Sequence, residues 1–150
     1  MKWKAKMIIE YKKRNFSISN DKRKLQLKAI HGFLTNCYWD KGISLEEVRE
    51  KIRNSYCFGL YHNNIQIGFC RVITDFVTLS YLADVFIVEK YRGRGLSKWL
   101  MKCVINQPDL RRVKTWMLKT SDAHGLYAKY GFRRTTKPNE IMEMKKKRNK

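Results

Sequence analysis

At 150 residues the chain is long enough to bury the core of one domain and short for two. Hydrophobic residues make up 43% and aromatic residues 13%, which excludes wholesale disorder. No apolar run approaches the roughly 18 residues of a membrane-spanning helix, and 33 Lys+Arg against 13 Asp+Glu, a net +20, disfavours polycationic ligands.

In chain order, Met1 to Lys13 is a lysine-studded, strand-like stretch without the apolar centre of a signal peptide. A soluble, cytoplasmic protein is therefore expected, with no membrane partner. "NFSISNDK" reads as a short strand carrying Phe16 and Ile18 and ending at a polar turn. Asp21 can cap a helix running to about Leu34, with Leu25, Leu27, Ile30, Phe33 and Leu34 as its apolar positions. In "SLEEVREKIRN" Ser44 and Glu47 have the spacing of a capping box, and Leu45, Val48 and Ile52 form the stripe of a second helix. "YCFGLY", Asn63-Asn64 and "IQIGFCRVIT" spell a β-hairpin. "VTLSYLADVFIV" is a strand whose second half is nearly all apolar, as in a strand covered on both faces.

The next stretch, "VEKYRGRGLSKWLM", turns from strand to helix, with two glycines and three cations packed into residues 92–98. Leu96 to Ile105 has helical spacing and stops before Pro108. "RRVKTWMLKT" reads as a strand and "DAHGLYAKYGF" as a short helix stopped at Gly131. "FRRTT" and "EIMEMKK" can pair as closing strands. This order predicts a mixed α/β layer fold with one β-α-β crossover at the glycine-rich turn. The domain is expected to span residues 1–150 without a linker, since the only prolines are Pro108 and Pro138.

Cys37, Cys57, Cys70 and Cys103 are scattered and include no C-x-x-C pair, so buried free thiols are expected and no metal site. The charge concentrates at the ends. Residues 1–28 and 133–150 together hold 18 Lys and Arg and four acids, leaving the middle only moderately basic. Such flanks can draw nucleic acid or can simply be solvated.

A helix that starts from a glycine-rich turn exposes unpaired N–H groups at the positive end of its dipole and makes a site for an anion. Gly93 and Gly95 allow positive φ and close approach, while Arg92, Arg94 and Lys98 suit phosphate oxygens. The spacing is neither a Walker loop nor G-x-G-x-x-G. On the residues alone, a phosphate cradle and an ordinary loop in a basic protein both remain open.

Arg92-Gly93-Arg94-Gly95-Leu96-Ser97 resembles the R/Q-x-x-G-x-G/A signature of the GNAT superfamily, the general N-acetyltransferases. "YLADVFIVEKYRGRGLSKWLM" resembles that family's fourth strand and following helix. "DAHGLYAKYGF" resembles its later A-x-x-L-Y-x-x-x-G-F segment. The resemblance covers nearly the whole chain and implies a mixed, mostly antiparallel sheet of six or seven strands flanked by about four helices.

It also implies acetyl-CoA as the donor. The pyrophosphate would rest on Arg92, Gly93, Arg94, Gly95, Leu96 and Ser97, and the pantetheine arm would lie beside Val85, Phe86 and Ile87. Thr120 stands where many members carry a cofactor-contacting Asn. Ser97 stands at a usual Gly/Ala position and is small enough to cap the helix start.

Tyr127 matches the tyrosine that in many members protonates the departing thiolate, though it can equally be a core tyrosine, with Tyr130 as its nearest competitor. Asp84 could be a direct base, a water-mediated base or a structural carboxylate. Asp75 and His124 are weaker candidates, and Ala83 stands where diamine-acetylating relatives carry Glu.

The implied function is transfer of an acetyl group to a primary amine of a small molecule or peptide, a small or anionic amine in preference to a polycation. Its pocket is expected to use the two early helices and the Cys37–Gly42 loop, including Tyr38 and Trp39. The chain would act as monomer or homodimer. The rival readings are a basic nucleic-acid-binding protein and a non-catalytic acetyl-CoA-binding module.

Overall fold

A computed structural model describes residues 5–147. The strands are β1 (Glu10–Lys13), β2 (Phe16–Ser19), β3 (Tyr56–His62), β4 (Ile65–Thr74), β5 (Leu79–Ile87) and β6 (Thr115–Met117). The helices are α1 (Leu27–Leu34), α2 (Leu45–Arg53), α3 (Leu96–Ile105) and α4 (His124–Ala128). The six strands form one sheet in chain order. Every neighbouring pair is antiparallel except β5–β6, which α3 joins by a parallel crossover. Among the described residues no helix is long and apolar enough to cross a membrane.

Local chemistry accounts for most boundaries. Asn63 and Asn64, at φ 47° and 66°, turn β3 into β4 as a two-residue hairpin of the primed kind. Ser44 and Glu47 make the reciprocal capping box at the start of α2. Two apolar layers cover the sheet. α1 and α2 bring Ile30, Leu34 and Val48 onto Cys57, Phe69 and Phe86. On the other face α3 brings Leu100, Met101 and Val104 onto Phe58, Cys70, Val72 and Leu82. All four cysteines are free; Cys57, Cys70 and Cys103 are buried and Cys37 is half-buried.

Four readings differ from the sequence pattern. Asp21 caps only a short 3-10 turn over Lys22–Lys24, and α1 waits until Leu27. The intervening Gln26 is extended because its backbone and side chain exchange hydrogen bonds with Gln66 of β4. The "RRVKTWMLKT" strand is cut to Thr115–Met117. The closing pair of strands over residues 132–136 and 140–146 is absent among the described residues. Ile141, Met142 and Met144 are all exposed, so neither face of that segment has a core to cover. An ion pair from Lys119 to Glu143 still holds it beside the chain after β6. The strand-like reading of the N-terminus survives only at Glu10–Lys13, and Met1–Lys4 lie outside the described residues.

Within β3, Gly59 leaves room for the ring of Tyr61. A Cβ at Gly59 would stand 2.2 Å from the Tyr61 hydroxyl. That ring is 3% exposed, so it cannot swing into solvent, and its hydroxyl has no hydrogen-bond partner among the described residues. Gly59→Ala should therefore cost about 1–3 kcal/mol, as overpacked cores do. In the same urea titration, Gly59→Ala should cost much less in a Tyr61→Leu background, since that change removes the hydroxyl and the two ring carbons that stand 2.2, 2.6 and 2.8 Å from the new Cβ. An equal cost would place the strain elsewhere.

Candidate functional site

The site begins where β5 leaves β6. The parallel ladder joins only Leu79, Ser80 and Tyr81 to Thr115, Trp116 and Met117. From Leu82 to Ile87, β5 keeps β4 on one side and has no strand on the other among the described residues. A bulge bends it there. Asp84 and Val85 together oppose Cys70, between the pairs Arg71–Ala83 and Phe69–Phe86. Asp84 sits at φ 53°, in the left-handed region that Asp tolerates better than most residues. The side chains beyond the bulge belong to the core. Phe86 stacks on Phe33 at 3.8 Å, Ile87 is 6% exposed, and Val85 packs against the α3 side. What Val85, Phe86 and Ile87 offer the opening is backbone, a strand edge with no neighbouring strand among the described residues.

The glycine-rich turn closes one end of this opening. Gly93 and Gly95 have φ of 76° and 75°, and Gly95 is the cap of α3. A Cβ at either would meet nothing within 4 Å. Their lack of a side chain answers the backbone conformation and leaves the turn open to a ligand. The helix ladder begins with Trp99 N–H on Gly95 O, so the N–H groups of Leu96, Ser97 and Lys98 precede it. Leu96 is buried and anchors the helix; Ser97 is half-buried and two residues inside it, so the cap expected of Ser97 is made by Gly95.

The cations are partly committed. Arg92 Nε donates to Ile87 O at 2.9 Å and ties the turn to the end of β5. Arg94 lies 5.2 Å from the Tyr91 ring centroid.

At the other end stands α4. Thr120 Oγ1 accepts from Ala123 N–H at 3.0 Å and Asp122 N–H at 3.4 Å, so it shapes the turn into α4. Tyr127 is 8% exposed with its ring against Phe132. Burial, then the neighbouring Cys70, Asp122 and Tyr38, push its phenol up to about 12. Tyr130 is spoken for, since its hydroxyl donates to Lys98 O at 2.6 Å. Asp75 is spent on the N–H groups of Val77, Thr78 and Leu79. His124 is exposed at the start of α4.

Around the bulge the structure assembles groups that the sequence kept apart. Asp84 Oδ1 accepts from Trp39 Nε1 at 3.1 Å. Its Oδ2 accepts from Arg71 Nε at 2.6 Å and Lys51 Nζ at 3.3 Å. Arg71 also donates to Ser55 Oγ at 3.0 Å. Lys51 pairs a second time, with Asp40. Burial works to raise Asp84's pKa, but Arg71 and then Lys51 outweigh it and hold the carboxylate below its ordinary value. Asp40 goes the other way: burial raises it, Lys51 only partly offsets this, and the charge of Asp84 raises it further.

The loop bearing Tyr38, Trp39 and Asp40 closes over the opening through Tyr38, whose hydroxyl lies 2.8 Å from Ser121 Oγ ahead of α4. Sequence reasoning named the loop, Tyr38, Trp39 and Asp84 but missed Asp40, Lys51, Arg71 and Ser121. These come from separate elements and share no spacing. Among the described residues no three His, Cys, Asp or Glu side chains converge as a metal site.

Comparison with known proteins agrees with this geometry. Residues 20–144 match the family described as acetyltransferase (GNAT) domain. A Gibberella zeae protein named as an acetyltransferase is 31% identical over 140 residues, 77% of each chain. The crystal structure of a GNAT-family acetyltransferase from Xanthomonas campestris pv. campestris superposes with a TM-score of 0.84 at 43% identity, covering 87% of this chain and 92% of that one. A GNAT-family acetyltransferase from Elizabethkingia anophelis, crystallised with acetyl-CoA bound, shares the fold with a TM-score of 0.63 at 23% identity, over 82% of this chain and 79% of its own.

Proposed function

The chain belongs to the GNAT acetyltransferase family, and on that premise we propose that it moves the acetyl group of acetyl-CoA directly onto a primary amine of a small molecule or peptide. One observation carries the reading: among the described residues, an edge of β5 without a neighbouring strand leads straight to a helix start whose first N–H groups precede the helix ladder. A long thin ligand with an amide-rich arm and a pyrophosphate matches that layout. The N–H groups of residues 93–98, with Arg92, Arg94 and Lys98 nearby, would take the pyrophosphate. The backbone of Val85, Phe86 and Ile87 would pair with the arm as a neighbouring strand does. A backbone N–H at the bulge would polarise the thioester carbonyl.

Tyr127 would protonate the departing thiolate. Its phenol matches that task inside this protein, because burial pushes thiols up as well. Cys57 reaches about 12 and Cys103 about 11, both by desolvation first. A thiolate placed beside Tyr127 would meet the same desolvation. Asp84 would order the bulge, and Thr120 would place α4. The carboxylates of Asp40 and Asp84 are matched by Lys51 and Arg71, which favours an acceptor with one ammonium over a polyamine.

Two measurements test the proposal. Acetyl-CoA should raise the melting temperature, and a panel of primary amines should include one that releases thiol from it. Salt-sensitive RNA or DNA binding without any acetyl-CoA effect would replace this reading with a nucleic-acid-binding one. Binding without thiol release across the panel would leave a non-catalytic module. Gly95→Val forces a β-branched residue to φ 75° and should cost about 1–2 kcal/mol of stability. Because it also disturbs the helix start, isothermal titration should show acetyl-CoA binding weakened by about tenfold or more, one charge-assisted hydrogen bond's worth. Unchanged affinity would move the pyrophosphate away from this turn.

A further inference from the structure

Asp40 and Asp84 lie side by side yet are unequally occupied. Asp84 is 4% exposed and accepts three hydrogen bonds, two of them on one oxygen. It has little capacity left for an incoming proton, and Arg71 and Lys51 would oppose its protonation. Asp40 is 13% exposed on the edge of the Cys37–Gly42 loop and, among the described residues, accepts from the Lys51 ammonium as its one cationic partner. Beside it the same loop exposes Tyr38 at 68% and Trp39 at 43%, set edge to face at 5.0 Å. An aromatic pair next to a carboxylate is suited to an organic ammonium. Tyr38 links the loop to Ser121 ahead of α4, and Tyr38 is among the groups that raise Tyr127. The loop that carries the carboxylate therefore reaches the turn ahead of α4, the helix of the proposed acid.

We infer that Asp40 is the base that takes the proton from the acceptor ammonium, with Asp84, Arg71 and Lys51 as the positioning residues that hold it at the β5 bulge. The assignment rests on the acetyl-transfer reading above. The acceptor R–NH3+ gives one proton to the Asp40 carboxylate and becomes R–NH2. As its lone pair forms the N–C bond to the acetyl carbonyl, the C–S bond breaks and Tyr127 gives its phenolic proton to the thiolate. The second nitrogen proton restores Tyr127, and Asp40 releases its own to water at the exposed loop edge. The products are the amide, the free thiol and one proton.

The charged surroundings divide labour between the two carboxylates. Lys51 on α2 and Asp84 on β5 face Asp40, with Cys37 on its own loop, and Arg71 on β4 stands behind them on Asp84. Burial and the fixed charge of Asp84 raise Asp40 toward the range a base needs, while Arg71 and Lys51 keep Asp84 ionised. Two neighbouring carboxyls pushed apart in this way mark separate roles.

The test uses the full chain and does not depend on knowing the natural acceptor. Carboxyl 13C NMR of aspartate-labelled protein, with Asp40→Asn and Asp84→Asn as assignments, should show Asp40 titrating above free aspartate and Asp84 below it. The reverse order would overturn the assignment whether or not any amine is turned over. In parallel, Asp40→Asn should bind acetyl-CoA within about twofold of wild type yet lose about 10²-fold or more in kcat. The acceptor for this arm is the best alkylamine of the panel, and Asp40→Glu should recover part of the loss. A full rate in Asp40→Asn would also sink the inference. Failure of wild type to bind acetyl-CoA would instead sink the transferase reading, with the NMR order still deciding between the two carboxylates.

Discussion

Asp84→Ala should lower the free energy of unfolding by about 3–5 kcal/mol, the usual loss when one partner of a buried ion pair is removed. The reason lies in what remains. Arg71, 11% exposed, and Lys51, 23% exposed, would keep their charges in a site that water hardly reaches. Trp39 Nε1 would lose its acceptor. A further cost of about 1 kcal/mol comes from the backbone, because Ala tolerates φ 53° less well than Asp. Against a typical total of about 5–15 kcal/mol the variant would stand close to the unfolding limit.

Asp84→Asn keeps shape and backbone tolerance and removes only the charge, so it should lose less than Asp84→Ala. The sign with pH follows from linkage. The folded pKa of Asp84 lies below its unfolded value, so its contribution is present above the ordinary aspartate pKa and is lost as pH falls through the folded one. Urea midpoints measured stepwise into acid should therefore drop more steeply for wild type than for Asp84→Asn. Equal slopes, or an Asp84→Ala variant as stable as wild type, would show that the Arg71–Asp84–Lys51 network contributes nothing net.

Tyr127→Phe should reduce thiol release by about 10²-fold or more, the usual contribution of a positioned general acid. It should do so with little change in stability or in acetyl-CoA affinity. The ring packs edge-on to Phe132 at 5.9 Å and Phe keeps that contact. The phenol itself carries the predicted effect. Pushed up to about 12, it remains protonated throughout the neutral range. It can donate at any pH where the acceptor amine is free. The rate limb set by Tyr127 should accordingly lie above the neutral range, and any limb below neutrality should belong to a carboxylate. A Tyr127→Phe variant with full activity would show that the thiolate leaves without this acid, and its loss of affinity would reassign Tyr127 to binding.

The elements and their order were legible because they rest on local rules. The capping box at Ser44 and Glu47, the Asn63-Asn64 turn and the helical spacing of Leu96, Leu100 and Val104 act within a few residues of chain. The glycine-rich turn was legible for the same reason, since positive φ at Gly93 and Gly95 is a demand of the local backbone. Failure came where burial had to be supplied from elsewhere. Gln26 left the helix for Gln66, forty residues away. The apolar letters of "EIMEMKK" found no face to cover.

By itself the sequence determined the α/β order, the crossover and the glycine-rich turn, each written in short-range spacing. Only the tertiary structure decided how the carboxylates are paired and buried. Asp40, Lys51, Arg71 and Asp84 come from a loop, a helix and two strands. A carboxylate's readiness to take a proton depends on how many donors crowd it and how much water reaches it, and both are properties of the packed site.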